Sequence, residues 1–355
     1  MKDRLFEILS KKLADFGAWV LRLLDPELSH HIGMKILRMR VLDYMAPPKT
    51  PKFDVSLKVR VPGIGTLRHP VCLAAGFDKN AEALAGLASI GFSMMEIGTI
   101  TPQPQEGNPK PRLFRYKHNY SLINRMGFNS HGSQQVLKRL QVERWNYDQL
   151  PIGINIGKNK VTPEHKALFD YVQQINTFKD HGNYFVINLS SPNTPGLRDL
   201  ATPEFLHQLA NEVDGSLSKI WIKLDPDRGR ESFQNLVNAI SEYGFQGVIV
   251  SNTHGVTWPE VGGQSGHPIL SMSNTCLEWA WEVHSGKLPM IASGGVLSGR
   301  DILEKMRRGA SAVQIYTALV YQGPWVVANL LNEFHAELKA LGVSHVEEII
   351  GTHYR

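Results

Sequence analysis

The stretch FVINLSSPNTPGLR, residues 185–198, runs four strand-like apolar residues (Phe185, Val186, Ile187, Leu189) into a polar cluster closed by two prolines and a glycine. Burying Asn188, Ser190, Ser191 and Asn193 costs roughly 1–3 kcal/mol for each group left unpaired. Either the chain's own backbone or a ligand must satisfy them, and a serine among them is a candidate for proton chemistry. Other polar residues follow apolar runs in the same way: Asp78-Lys79-Asn80, Thr99, Asn155, Lys223, Ser251-Asn252-Thr253, Gly294-Gly295 and Tyr316-Thr317. Lys223 sits inside IWIKLD, apolar on both sides, so a surface role fits it poorly. A fixed cation suits a flavin, whose reduced ring is anionic. Asn124, Asn188, Asn193 and Asn252 each offer an amide acceptor and two donors, suited to a planar ring such as a small pyrimidine. Their structural alternative is the capping of turns.

Eight apolar runs carry these residues: 71–77, 92–101, 152–157, 184–190, 220–225, 247–253, 290–295 and 312–317. Amphipathic stretches at about 80–89, 163–179, 203–218, 231–243 and 299–308 separate most of them. Such alternation demands a parallel sheet, and eight units predict an α/β fold, a closed (β/α)8 TIM barrel. The unusual residues then fall at the C-terminal strand ends, where barrels of this kind gather function. The glycines after run seven, with Tyr316-Thr317 after run eight, form the expected place for a phosphate tail. RLFRYKHNYSLINRMGF reads as an inserted hairpin around His118-Asn119.

Ahead of the barrel lies a small N-terminal helical extension. Phe6, Leu9, Leu13, Phe16, Val20 and Leu24 recur at helical spacing, Asp25-Pro26 interrupts, and a second amphipathic stretch covers about Leu28–Leu42. Two readings stand: a cap packed on the main domain, or a helix pair on a membrane surface, with Trp19 in its apolar sector. The net charge of +5 belongs to residues 1–60, which hold 12 Lys/Arg against 7 Asp/Glu, whereas the remainder balances. APPKTPKFD, residues 46–54, reads as a linker. No apolar run of membrane-spanning length and no secretory signal is expected. Two cysteines, Cys72 and Cys276, give neither a disulfide framework nor metal-ligand spacing, so no metal is expected and a reducing compartment is.

Motifs extend this reading. AAGFDKN (74–80), GTITPQPQEGNPKPRLFR (98–115), INRMGFNS (123–130), GINIGKNK (153–160), INLSSPNTPGLR (187–198), SNT (251–253), GGQSG (262–266), SGG (293–295) and QIYT (314–317) occur in order. With them the chain resembles the class 2, quinone-dependent dihydroorotate dehydrogenases over nearly its whole length, LLDPELSHHIG included. The resemblance implies oxidation of dihydroorotate to orotate in pyrimidine synthesis, FMN as cofactor and a membrane quinone as oxidant. It places FMN contacts on Ala75, Gly76, Phe77, Asp78, Lys79, Thr99, Asn155, Asn188, Lys223, Ser251, Gly266, Gly295, Tyr316 and Thr317. It places substrate contacts on Lys79, Asn124, Arg125, Met126, Gly127, Phe128, Asn188, Asn193, Asn252 and Thr253, and the catalytic base on Ser191. Thr194 and nearby waters are candidates for a relay from Ser191.

Three units are implied: residues 1–45 as a membrane and quinone-access segment, 46–60 as linker, and 61–355 as the FMN-binding catalytic barrel. The protein is then expected at the cell membrane, peripheral, on its cytoplasmic side. Deleting the first segment is expected to cripple quinone turnover and spare reduction of the flavin. Within the family's pattern, Ser251 replaces a usual threonine, Asp225 stands where alanine is more frequent, and the 254–263 loop looks short. Competing readings are a tRNA dihydrouridine synthase, which calls for a basic RNA-binding surface that the charge-balanced residues 61–355 do not offer, and a non-catalytic flavin- or orotate-binding module. No nucleic-acid partner is expected.

Overall fold

A computed structural model describes residues 2–44, 53–143, 145–146, 149–213 and 215–355 of the chain. The linker expected at 46–60 is described only from Phe53 onward, so most of its proline-rich part lies outside the described residues.

The helical extension comprises α1 (Lys2–Leu21) and α2 (Pro26–Arg38). Asp25, expected as a break, caps α2: its carboxylate accepts from the amides of Glu27 and Leu28, both at 3.0 Å, with Pro26 at the first helical turn. A short antiparallel pair follows, β1 (Val59–Val61) and β2 (Gly65–Leu67). Its turn at Gly63 touches Gln246, just ahead of a barrel strand, so the pair lies at the N-terminal rim of the barrel.

The barrel strands are β3 (Val71–Leu73), β4 (Met95–Ile100), β7 (Ile152–Ile156), β8 (Tyr184–Asn188), β9 (Ile220–Leu224), β10 (Gly247–Val250), β13 (Met290–Ser293) and β14 (Ala310–Ile315). They pair in parallel and close in that order, β14 returning to β3. All eight strands read from the sequence are present, and the fold is a (β/α)8 TIM barrel. Seven are shorter than their apolar runs because the residues at the run ends belong to loops, and β14 matches its run in length but begins and ends two residues earlier. Between β4 and β7 come β5 (Leu113–Tyr116) and β6 (Ser121–Asn124), the expected hairpin. After β10 come β11 (His254–Val256) and β12 (Gly262–Gly266). These four form one antiparallel sheet in the order β11-β12-β6-β5, so the loop that looked short is half of a sheet over the barrel mouth.

Outside the barrel stand α3 (Leu84–Ser89), α4 (Ser133–Glu143), α5 (Ala167–Phe178), α6 (Pro203–Glu212), α7 (Arg230–Glu242), α8 (Leu270–His284), α9 (Gly299–Arg307), α10 (Thr317–Gln322) and α11 (Val326–Ala340). Alternation along each strand sends every second side chain into the barrel. The lower layer is aromatic. Tyr184 lies opposite Gly153 and Trp221 opposite Gly247, and a Cβ on either glycine would sit 2.1 Å or 2.5 Å from the ring across from it. The layers above are polar: Glu96, Asn155 and Gln314, then Asn188 and Lys223, side by side on β8 and β9.

Candidate active site

At the C-terminal ends of the strands lies a cavity of about 390 Å³, within the size range of small-molecule sites. Loops after β3, β8, β10, β13 and β14 line it together with Thr99 of β4, β9, β12 and the stretch after β6. Of the residues expected to hold a cofactor, Ala75, Gly76, Phe77, Lys79, Thr99, Asn188, Lys223, Ser251, Gly266, Gly295, Tyr316 and Thr317 border it. Of those expected to hold a substrate, Lys79, Asn124, Met126, Gly127, Phe128, Asn188, Asn193, Asn252 and Thr253 do, and so does Ser191.

Three named residues do not line the cavity. Asp78 turns its carboxylate to the amides of Asn80, Glu82 and Ala83, holding the turn before α3. Asn155 lies beneath the floor, accepting from Thr99 Oγ1 at 2.6 Å and donating to Glu96 at 2.7 Å. Arg125 pairs with Glu260 at 2.8 Å and stacks over Phe114, fastening the β11–β12 hairpin from outside.

The polar cluster of residues 188–193 is connected. Asn188 Nδ2 donates to Thr99 Oγ1 (2.8 Å) and Asn155 Oδ1 (3.2 Å). Its Oδ1 accepts from Ser190 Oγ at 2.9 Å, and Asn252 Nδ2 donates to that same hydroxyl at 2.8 Å. Ser190, without a role in the sequence, is therefore the link between two of the ring-facing asparagines. Asn193 Nδ2 donates to Asn124 Oδ1 at 3.3 Å. Ser191 is buried; its Oγ accepts from the Asn193 amide at 3.3 Å, and its own O–H finds no acceptor among the described residues. Thr194 is buried but outside the cavity lining.

Two lysines charge the site. Lys223 is buried, faces the cavity and has no hydrogen-bond partner among the described residues. Burial lowers its pKa, opposed by the charge of Glu96. Lys79 donates to the Gly76 carbonyl at 2.9 Å. Burial and then the Arg112 charge push its pKa down to about 8, against Glu27 and Asp78. An unpartnered buried ammonium calls for an anionic or electron-rich occupant. At the far end Gly266 and Gly295 have φ of +91° and +85°, and a Cβ there would meet the Tyr120 carbonyl at 2.1 Å or Leu270 Cα at 2.4 Å, so only glycine fits. Among the described residues no cluster of His, Cys, Asp or Glu could hold a metal.

Asp225 does not reach the cavity. It is buried against Arg228 at 2.9 Å and Arg198 at 3.9 Å, beside Asp227, which accepts from Arg198, His254 and the Gly255 amide. The extra carboxylate thus anchors loops at the base of β11.

A second cavity of about 420 Å³, almost wholly apolar, lies between α1, α2 and the barrel. His30, Phe77, Leu113, Leu122 and Tyr316 line both cavities and form the partition. His30 stands edge-on to Phe77 at 5.2 Å, and burial, with Lys79 and His31, lowers its pKa to about 3, so it is neutral. Arg115 enters the apolar cavity from β5 with its Nη1 on the Arg22 carbonyl and its buried Nε unpartnered among the described residues.

A family model, dihydroorotate dehydrogenase, matches residues 56–338. The chain belongs to the dihydroorotate dehydrogenase family. It is 41% identical over 358 residues to a dihydroorotate dehydrogenase (quinone) of Myxococcus xanthus, covering 94% of this chain and 95% of that protein. Against the mitochondrial dihydroorotate dehydrogenase (quinone) of Mus musculus it is 39% identical, with 94% and 88% covered. The crystal structure of DHODH from Eimeria tenella in complex with ferulenol superposes with a TM-score of 0.85 at 35% identity, over 93% of this chain and 96% of that one. The ligand-free form from Eimeria tenella gives 0.86 at 36%, over 93% and 100%. Membership of the dihydroorotate dehydrogenase family makes the chain an oxidoreductase enzyme.

For a dihydroorotate dehydrogenase, the site has members that the sequence reading passed over. Glu96, accepting from Asn155 and Gln314 beneath the floor, was visible as a lone carboxylate inside an apolar strand. Glu27, His31 and Met34 of α2 line the polar cavity, and nothing local in the sequence marks them.

Proposed function

We propose that this chain oxidises dihydroorotate to orotate with FMN as resident cofactor, and that a membrane quinone restores the oxidised state. The observation that carries the reading is one cavity holding Ser191, the unpartnered Lys223 and the four asparagines together. FMN, when bound, supplies the acceptor for the hydride that leaves C6. The residues fit such a group: of those lining the cavity, Lys223 would meet the ring's electron-rich edge, Ala75, Gly76, Thr99 and Asn188 would hold the ring, and Gly266, Gly295 and Thr317 would hold the phosphate end.

The chain's own work is the proton and the pose. Ser191 takes the proton from C5 as its own hydroxyl proton passes to a water and on to solvent, since that O–H has no acceptor among the described residues. Lys79 meets the substrate carboxylate, while Asn124, Asn193 and Asn252 offer donors and acceptors to the ring edges. The Ser190 bridge keeps Asn188 and Asn252 oriented before substrate arrives.

The apolar cavity suits a lipid-soluble oxidant, with neutral His30 and the free Nε of Arg115 as its polar contacts. The extension has the surface for a bilayer. The large residues of the α1 stripe face outward, Leu13 and Phe16 each 59% exposed, whereas Ser10 and Ala14 pack inward. Among the described residues no helix is long and apolar enough to cross a membrane, which leaves a peripheral helix pair as the proposed contact, on the cytoplasmic side. Residues 1–45 thus act as the membrane and quinone-access unit and 61–355 as the catalytic barrel.

Ser191→Ala tests the reading. The variant is expected to retain FMN and to slow flavin reduction by dihydroorotate by about 10²-fold or more in stopped-flow absorbance. An unchanged rate removes Ser191 from the mechanism.

A further inference from the structure

We propose that Glu27, on the N-terminal helix pair, is a positioning residue for the substrate site, acting through Arg112 on Lys79 and on the serine loop. The inference rests on the reading of the cavity as a dihydroorotate site and assigns α2 a part in its substrate half.

Glu27 is 7% exposed and lines the polar cavity. Every nitrogen of the Arg112 fork is engaged. Its Nη2 lies 2.8 Å and its Nε 3.2 Å from Glu27 Oε1, and Nη1 donates to the carbonyls of Glu106 (2.6 Å) and Asn108 (2.9 Å). Asn108 Nδ2 then donates to the Asn193 carbonyl at 3.2 Å, two residues from Ser191. A continuous chain thus runs from α2 to the loop that carries the base. Both ends of the ion pair are buried, so removing one leaves an uncompensated charge in the wall.

The charges around Lys79 give the pair its second effect. Facing it are Arg112, Glu27, Asp78 and His30, with Lys110 on the far side of Glu27 at 3.5 Å and His31 beside His30. Arg112 opposes the protonated lysine, and Glu27 and Asp78 favour it, while His30 is neutral. Since Lys79 sits at about 8, its charge is balanced near working pH, and a carboxylate ligand needs the protonated form. Loss of Glu27 moves that balance down in pH; loss of Arg112 moves it up. A merely structural fault would weaken binding in both variants without moving the profile in opposite directions.

The test is orotate titration of the FMN-loaded protein, followed by the flavin absorbance between pH 6 and 10. In the unaltered protein affinity is expected to fall as pH rises through about 8. Glu27→Gln is expected to shift that fall to lower pH and to raise the orotate dissociation constant at pH 8 by about three- to tenfold. Arg112→Gln is expected to shift it to higher pH. If the unaltered protein binds orotate and neither variant moves the profile, or both move it the same way, the inference is wrong and the reading of the site stands. If the unaltered protein binds no orotate, both fall. Should Glu27→Gln fail to fold, the direction of the Arg112→Gln shift decides alone.

Discussion

Lys305 is a cation the proposed chemistry does not use: on α9, it is fully buried and donates to Ser273 Oγ at 2.5 Å, behind the end of β13. Burial pushes its pKa down to about 7, against the charge of Asp301. An unfolded lysine titrates near 10.4, so between about pH 7 and 10 the unfolded chain binds the extra proton and stability rises with pH. Lys305→Met is expected to flatten that rise, read as the difference between unfolding free energies in urea at pH 7 and pH 9. Equal slopes in the two proteins would show that Lys305 does not titrate there. At this scale the sequence was most informative where polar residues follow apolar runs, because a strand end is the one place that such residues converge. Glu27 stayed hidden because its partner lies 85 residues away. No local pattern encodes that pairing.

The elements divide in the same way. The eight barrel strands were legible because buried parallel strands are continuous apolar runs. α4, SQQVLKRLQVE, offers few apolar positions, and α8, LSMSNTCLEWAWEVH, carries Ser, Ser, Asn and Thr among its first six residues, which favour turns as readily as helices. β11 and β12, HGV and GGQSG, lack any apolar alternation and exist through pairing, β12 with β6 and β11 with β12. The α1 stripe was read with the right period, and its direction could not be: a helix's apolar face looks alike whether it meets a core or a bilayer. Here the stripe faces outward over Leu9, Leu13, Phe16 and Trp19, while Phe6, its first member, has a side chain outside the described residues. Replacing Phe16 and Trp19 together by Glu is expected to lower binding to anionic lipid vesicles at least tenfold, since each apolar side chain buried is worth about 1.5–3 kcal/mol. Binding of the unaltered chain should weaken as salt rises. Cosedimentation that the double variant leaves unchanged would reject the outward stripe as the contact.

Taken as a whole, the molecule sets two cavities back to back, one polar at the barrel mouth and one apolar under the helix pair, divided by His30, Phe77 and Tyr316. Under the proposed function that arrangement would separate a charged, water-soluble reductant from a lipid-soluble oxidant and leave the cofactor at the partition to join them. The α2 helix belongs to both sides through His30 and Glu27, so removing the extension is expected to impair the substrate half as well as quinone turnover, where the sequence alone suggested a clean division. The measurement that bears most directly on the central claim is anaerobic addition of dihydroorotate to the purified FMN-loaded protein. The oxidised flavin absorbance is expected to bleach, with one orotate formed per flavin reduced. A flavin band that persists with FMN bound and dihydroorotate in excess would contradict it.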